Sequence, residues 1–230
     1  MRFTVDLINS IYLRTRLVTR VGYRIWKSSI LSSAKFLIRN VSYESGERIH
    51  SKLPAIILST FTNLSDFLIL SYLFQEKELT FIAPPNLPSE KLIMKLQAIN
   101  HILYLDDKQK AYGFFKRLLT TLRDFNRSLV ISPDAAQKYA EHISIDPKLL
   151  CRIAMITNVP LIPVILKWSD RENERHKKCS VHIGKQIFVS PRSSEFKDIF
   201  FKSRGPRKFR NIPDEDMVEI GRRILSKLKT

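Results

Sequence analysis

Ile57-Leu58-Ser59-Thr60-Phe61-Thr62-Asn63-Leu64-Ser65-Asp66-Phe67-Leu68-Ile69-Leu70 reads as an apolar run, a polar turn, and a second apolar run opened by an acid. The wider stretch from Leu53 to Phe74 carries a single charge, Asp66, and its length alone would suit a membrane span. Pro54, Ser59, Thr60, Thr62, Asn63 and Ser65 break it up, mostly in its first half. A buried strand, a turn and a buried helix account for that pattern better than the roughly 20 apolar residues needed to cross a bilayer. No transmembrane helix is expected in the chain. At the N-terminus, Arg14, Arg16 and Arg20 interrupt any apolar core of a signal peptide.

The same alternation continues outward from this stretch. Apolar runs predict strands at Ala55–Ser59, Leu79–Ala83, Ile102–Leu105, Ser128–Ser132, Leu161–Lys167 and Ser180–Gly184. Amphipathic stretches predict helices at Asp66–Phe74, Ser89–Ile99, Gln109–Phe125, Asp146–Thr157 and Asp214–Leu228. Runs such as Ala55-Ile56-Ile57-Leu58 and Leu129-Val130-Ile131 are apolar at every position, as in strands covered on both sides. The expected fold is α/β, with a mostly parallel sheet covered by helices on both faces.

With 230 residues, 44% of them hydrophobic, the chain can bury a substantial core and is not expected to be disordered as a whole. Its 39 Lys and Arg outweigh 22 Asp and Glu, a net charge of +17 that predicts attraction to a polyanion. The excess is uneven: +6 over residues 1–48, +3 over 49–166 and +8 over 167–230. The expected division is therefore a basic helical segment at 1–48 and an α/β domain at 49–230. Cys151 and Cys179 are too few for a disulfide framework and lie in no metal-ligand spacing, so a reducing cytoplasm fits and no metal is expected.

The segment from about Thr4 to Ile38 reads as helix. Ile11, Val18, Val21, Gly22 and Ile25 share one side, while Arg16, Arg20, Arg24 and Lys27 share the other, with Tyr12, Tyr23 and Trp26 between them. A solvated surface helix would show the same periodicity. The purely basic face, without acidic partners at i±4, favours a helix lying on an anionic membrane surface. The basic run Ser203–Arg210 is expected to be an exposed loop. A nucleic-acid partner is disfavoured, because no helix-turn-helix, zinc-knuckle or aromatic-plus-basic RNA signature accompanies the charge.

The apolar strand, turn and helix-opening Asp66 resemble the first motif of the glycerophosphate and lysophosphatidate acyltransferases. There, a His and an Asp are separated by four residues. Leu103-Tyr104-Leu105-Asp106-Asp107 is similar to the second motif, with Asp107 where the family has a phosphate-binding Arg. Ser132-Pro133-Asp134-Ala135-Ala136-Gln137 is similar to the third, with Ala135 for Gly and Gln137 for Arg. Val159-Pro160-Leu161-Ile162-Pro163-Val164 matches the fourth, and Val181–Ile187 looks like the strand that follows it. The resemblance spans roughly residues 40–230.

It implies a membrane-peripheral enzyme on the cytoplasmic face. Such an enzyme moves an acyl chain from acyl-CoA or acyl carrier protein, as co-substrate, to a lysophospholipid-type alcohol without a bound cofactor. In the family the His takes the hydroxyl proton and the Asp orients its imidazole. Asp66 stands at the Asp position, but Phe61 stands at the His position, and a phenyl ring accepts no proton. The site implied by resemblance is thus Asp66 with Phe61, plus Asp134, Gln137 and Lys138 toward substrate. His101 and His142 are the candidate replacement bases, each also readable as an ordinary packed or solvated histidine. Asp66 is readable either as a weak base or as a helix cap. The alternative to an acyltransferase is a catalytically inactive lipid- or membrane-binding protein built on the same fold.

Overall fold

The computed structural model describes residues 28, 31–44, 53–61, 63–83, 101–104, 111–132, 146–169, 178–201 and 212–228. Seven strands are found there: β1 (Ile38–Tyr43), β2 (Ile56–Ser59), β3 (Leu79–Ala83), β4 (His101–Tyr104), β5 (Ser128–Ile131), β6 (Leu161–Trp168) and β7 (Cys179–Ile183). The helices are α1 (Leu64–Leu73), α2 (Ala111–Arg123), α3 (Pro147–Thr157), the short α4 (Lys197–Phe200) and α5 (Asp214–Ser226).

One sheet holds all seven strands in the order β1-β7-β6-β2-β5-β3-β4. Every pairing is parallel except β6 with β7. Ile56 through Ser59 and Ser128 through Ile131 are buried without a break, because these strands lie inside the sheet with helices on either side. Alternation sorts the side chains. Ile56, Leu58, Leu129, Ile131 and Leu161 pack with α2, α3, α4 and α5. Ala55, Ile57, Val130, Ile162 and Val164 pack with α1 on the other side. The expected α/β architecture is therefore the observed one.

Local chemistry explains the helix ends. Asn63 caps α1: its Oδ1 accepts from Asp66 N at 3.0 Å, while Asp66 Oδ2 accepts from Asn63 N at 3.3 Å. This reciprocal pair satisfies two backbone donors at once. Asp146 caps α3 ahead of Pro147, and the helix ends at Asn158 in a left-handed conformation. The α3–α5 crossing is close because Gly221 has no side chain. A Cβ there would lie 2.1 Å from the Pro147 carbonyl oxygen.

The structure departs from the sequence reading at the N-terminal side. Residues 31–37 are helical, as expected, but Ile38–Tyr43 then joins the sheet through β7. The sheet thus recruits chain from inside the 1–48 segment, and a boundary at 48/49 would cut a strand from its domain. The basic and apolar stripes of residues 11–27, the expected helix Ser89–Ile99 and the Ser203–Arg210 loop lie outside the described residues.

Candidate active site

The chain connections diverge at one end of the sheet. The chain leaving β2 forms α1 on one face, whereas the chain leaving the adjacent β5 reaches α3 on the other. Neighbouring strands whose connections depart to opposite faces leave an opening beyond their carboxyl ends, the usual ligand position in open α/β sheets. The two residues expected at the first motif, Phe61 and Asp66, follow β2 at that end.

Phe61 is turned inward. Its N–H donates to the Ser59 carbonyl at 3.1 Å, a three-residue turn that directs the chain back over the sheet. The ring is only 5% exposed and meets Phe81 of β3 edge-on, with centroids 5.6 Å apart at 85°. Phe67 of α1 stacks on the same Phe81 ring at 3.7 Å. The three rings form part of the core beneath α1.

Asp66 is 2% exposed. Besides the contact from Asn63, its Oδ1 accepts a hydrogen bond from Trp168 Nε1 at 2.7 Å. Trp168 ends β6 and lies opposite Cys179 across the antiparallel pair. Burial raises the Cys179 thiol to about 11, and the neighbouring charge of Asp66 pushes in the same direction. In this geometry, the Asp66 oxygens receive a backbone N–H and an indole N–H.

The other candidates divide clearly. His101 opens β4, which is separated from β2 by β5 and β3, a span of ~14 Å at ~4.8 Å per strand. Through Thr80 and Leu129, its register is level with Ile56, the first residue of β2, at the opposite end of that strand from Phe61. His101 is therefore excluded as the replacement base for Asp66. His182 is excluded too: Val181 and Ile183 face α1, so His182 points to the other side of the sheet. Asp134, Gln137, Lys138, Asp107 and His142 lie outside the described residues. Among the described residues, no group of three or more His, Cys, Asp or Glu gathers to hold a metal ion.

Two site residues escaped the sequence reading. Asn63 was detectable, since Asn-x-x-Asp before an apolar run is a capping-box spacing. Trp168 carried no local signal, because its meeting with Asp66 depends on β6 lying beside β2.

No protein-family model matches the chain, and no curated protein does. Among solved structures, the chain is similar to "Crystal Structure of the 1-acyl-sn-glycerophosphate (LPA) acyltransferase, PlsC, from Thermotoga maritima", at 16% identity and a TM-score of 0.46, over 90% of this chain and 80% of that one.

Proposed function

We propose that this chain is a non-catalytic protein of acyltransferase-like fold that acts by binding at an anionic lipid surface. The carrying observation is the hydrogen bond from Trp168 Nε1 to Asp66 Oδ1 at 2.7 Å, combined with the buried phenyl ring at position 61. Proton abstraction from a substrate hydroxyl needs a base within hydrogen-bond reach and a second group orienting that base. Here the position of the base is a hydrocarbon ring in the core. The orienting carboxylate serves an indole and a helix N-terminus instead. Asp107 and Gln137, where the resembled family has arginines, also lack the paired donors that suit a phosphate.

Binding at lipid is supported by charge. A +17 chain, with its excess toward both ends, is drawn to acidic headgroups. No described helix is long and apolar enough to cross a membrane, and the attachment we propose is peripheral, at the cytoplasmic face.

Two measurements test the reading. Incubation with lysophosphatidate and either acyl-CoA or acylated carrier protein is expected to give no transfer above background. Sedimentation with vesicles is expected to retain the protein on anionic lipid and release it as salt rises. Rapid acyl transfer that Asp66→Ala abolishes would overturn the non-catalytic reading and restore the enzyme. Equal binding to neutral vesicles at high salt would overturn the electrostatic part.

A further inference from the structure

The outward side of α2 and α3 is basic without being purely polar. The two helices hold Lys116, Arg117, Arg123, Lys148 and Arg152 and no Asp or Glu. Those charges exceed the net +3 of the whole stretch 49–166, so the remainder of that stretch is net acidic. Helix α5, which also packs on α3, sets Asp214, Glu215, Asp216 and Glu219 against Arg222 and Arg223. The positive charge therefore belongs to one face of the domain and is not spread evenly over it.

The two helices form one surface. Phe114, Leu118 and Leu122 of α2 are buried in the same core as Leu150 and Ile153 of α3, which turns the opposite side of each helix outward. Arg123 Nη2 donates to the Ile156 carbonyl and so ties the two carboxyl ends together. A carbonyl satisfies the N–H but leaves the guanidinium charge in place. Lys148 and Arg152 share one carboxylate, that of Asp214, with Arg152 Nη2 3.8 Å from its Oδ1. Two cations there face a single anion. On α2, Tyr112, Lys116 and Arg123 fall within about 40° of one another around the helix axis. Arg117 stands about 100° further round, is engaged elsewhere and is no part of the face.

Apolar side chains lie among these cations. Tyr112 is 78% exposed and Ile156 is 41% exposed, with Leu149 and Met155 half-buried beside Ile156 on the outer side of α3. Surfaces that hold nucleic acid interleave cations with flat rings on which bases stack. Here the neighbours of the cations on α3 are aliphatic, which suits acyl chains, and the long basic side chains can reach headgroups while their stems lie on apolar surface.

We propose that the α2–α3 face is the side of the α/β domain laid against an anionic bilayer. Lys116, Arg123 and Arg152 meet the headgroup phosphates, and Tyr112 and Ile156 enter between them. The inference rests on the anionic-lipid reading and adds the face by which the domain meets the lipid. Because α1 packs on the other side of the sheet, this orientation turns Asp66 away from the bilayer. That suits a chain that draws no substrate from it.

Sedimentation of the full chain with vesicles of phosphatidylcholine and phosphatidylserine tests the assignment. Lys116→Gln with Arg152→Gln is expected to weaken binding by about tenfold or more. Lys178→Gln with Lys185→Gln removes the same charge from exposed positions flanking β7 and is expected to weaken it by about threefold or less. A polarity-sensitive fluorophore on Tyr112→Cys should shift to the blue on these vesicles, and the same fluorophore on Lys185→Cys should not. If the unsubstituted protein ignores anionic vesicles, the lipid reading falls and the face falls with it. If it binds, but both pairs of substitutions weaken it equally or the Tyr112→Cys label stays unmoved, the lipid reading stands and the face is wrong. Tighter binding to random RNA than to vesicles at physiological salt, lost in Lys116→Gln with Arg152→Gln, would assign the face to nucleic acid and overturn the proposal.

Discussion

Trp168 Nε1 donates to Asp66 Oδ1 at 2.7 Å, joining the end of β6 to the first turn of α1 across 102 positions of chain. The contact changes what a histidine at position 61 can accomplish. An imidazole placed there would need an Asp66 lone pair turned toward it, and Asn63 N and Trp168 Nε1, one on each oxygen, already orient the carboxylate for other partners. Phe61→His is therefore expected to leave acyl transfer at background, at a stability cost of about 2–4 kcal/mol from lost aromatic packing and a buried polar ring. Phe61→His combined with Trp168→Phe removes the competing donor and is the variant that tests whether the scaffold retains latent chemistry. Transfer by the single variant would show that the indole yields its place readily.

Trp168→Phe alone isolates the value of the contact. The replacement keeps an aromatic ring but deletes the N–H, leaving a buried acid short of one partner. Hydrogen bonds to charged groups contribute about 1.5–3 kcal/mol, so the urea midpoint should fall by the corresponding amount with little change in slope. Asn63→Ala removes the other half of the arrangement and should cost about 1 kcal/mol. Unchanged stability in Trp168→Phe would mean that the indole bond adds nothing to the fold.

Which features the sequence revealed follows from where each residue sits. Ile56–Ser59, Leu79–Ala83, Ser128–Ile131 and Leu161–Trp168 were visible as strands because inner strands of a covered sheet must be apolar on both faces. Ile38-Arg39-Asn40-Val41-Ser42-Tyr43 was not, because β1 lies at the end of the sheet and most of its side chains are exposed. It falls between the expected helix ending at Ile38 and the expected domain opening at residue 49, where no strand was expected. Lys197–Phe200 forms a single turn, too short to leave a periodic signature. At the site, Asp66 was legible as a carboxylate at a helix start. Its partner was not, since only the strand order brings Trp168 beside it. His101 fails as a base for the same kind of reason: strand order and register, neither readable from spacing, put it at the far end of the sheet.

Two exposed ion pairs tie α5 to its neighbours and give the fold an acid-sensitive edge. Arg223 bonds both oxygens of Asp198, at 2.9 and 2.8 Å, and Lys148 of α3 pairs with Asp214. In each case the hydrogen bond from the cation, foremost, holds the carboxyl below its usual 3.8. A carboxyl depressed in the folded state adds stability that is fully present above its unfolded value and is lost as pH falls through the folded one. Carboxyl resonances of Asp198 and Asp214 should therefore titrate below 3.8, and Lys148→Met should move Asp214 upward while leaving Asp198 in place. Because both acids are exposed, added salt should shrink the shifts. An Asp214 midpoint unaffected by Lys148→Met would remove the α3–α5 pair from the account.

The α3–α5 crossing depends more heavily on Gly221. Its missing Cβ is what lets α5 lie against the backbone of Pro147, with 2.1 Å to the carbonyl oxygen as the distance a methyl group would have to occupy. Backbone cannot rotate aside as a flexible side chain can. Gly221→Ala should thus separate the helices and cost about 2–3 kcal/mol, despite the better helix propensity of alanine. Gly221→Ser should cost at least as much. A urea midpoint equal to that of the unsubstituted protein would show that α5 can shift without loss, contrary to the packing of Met217, Ile220 and Ile224 in the same core.

The two thiols report on the whole core at once. Cys151 of α3 and Cys179 of β7 are both fully buried, and burial foremost raises them to about 12 and about 11. The thiolate is the reactive form, so at pH 8 its fraction should be about a thousandth or less at either position, and access is closed as well. A disulfide-exchange reagent should therefore leave the native protein unlabelled and modify both cysteines once urea unfolds it. Cys179 lies beside the Asp66–Trp168 contact, whereas Cys151 sits on the opposite face of the sheet. If Trp168→Phe loosens the site locally, Cys179 should become reactive first and Cys151 should stay protected. Simultaneous exposure of both thiols would show instead that the indole–carboxylate bond supports the fold as a whole.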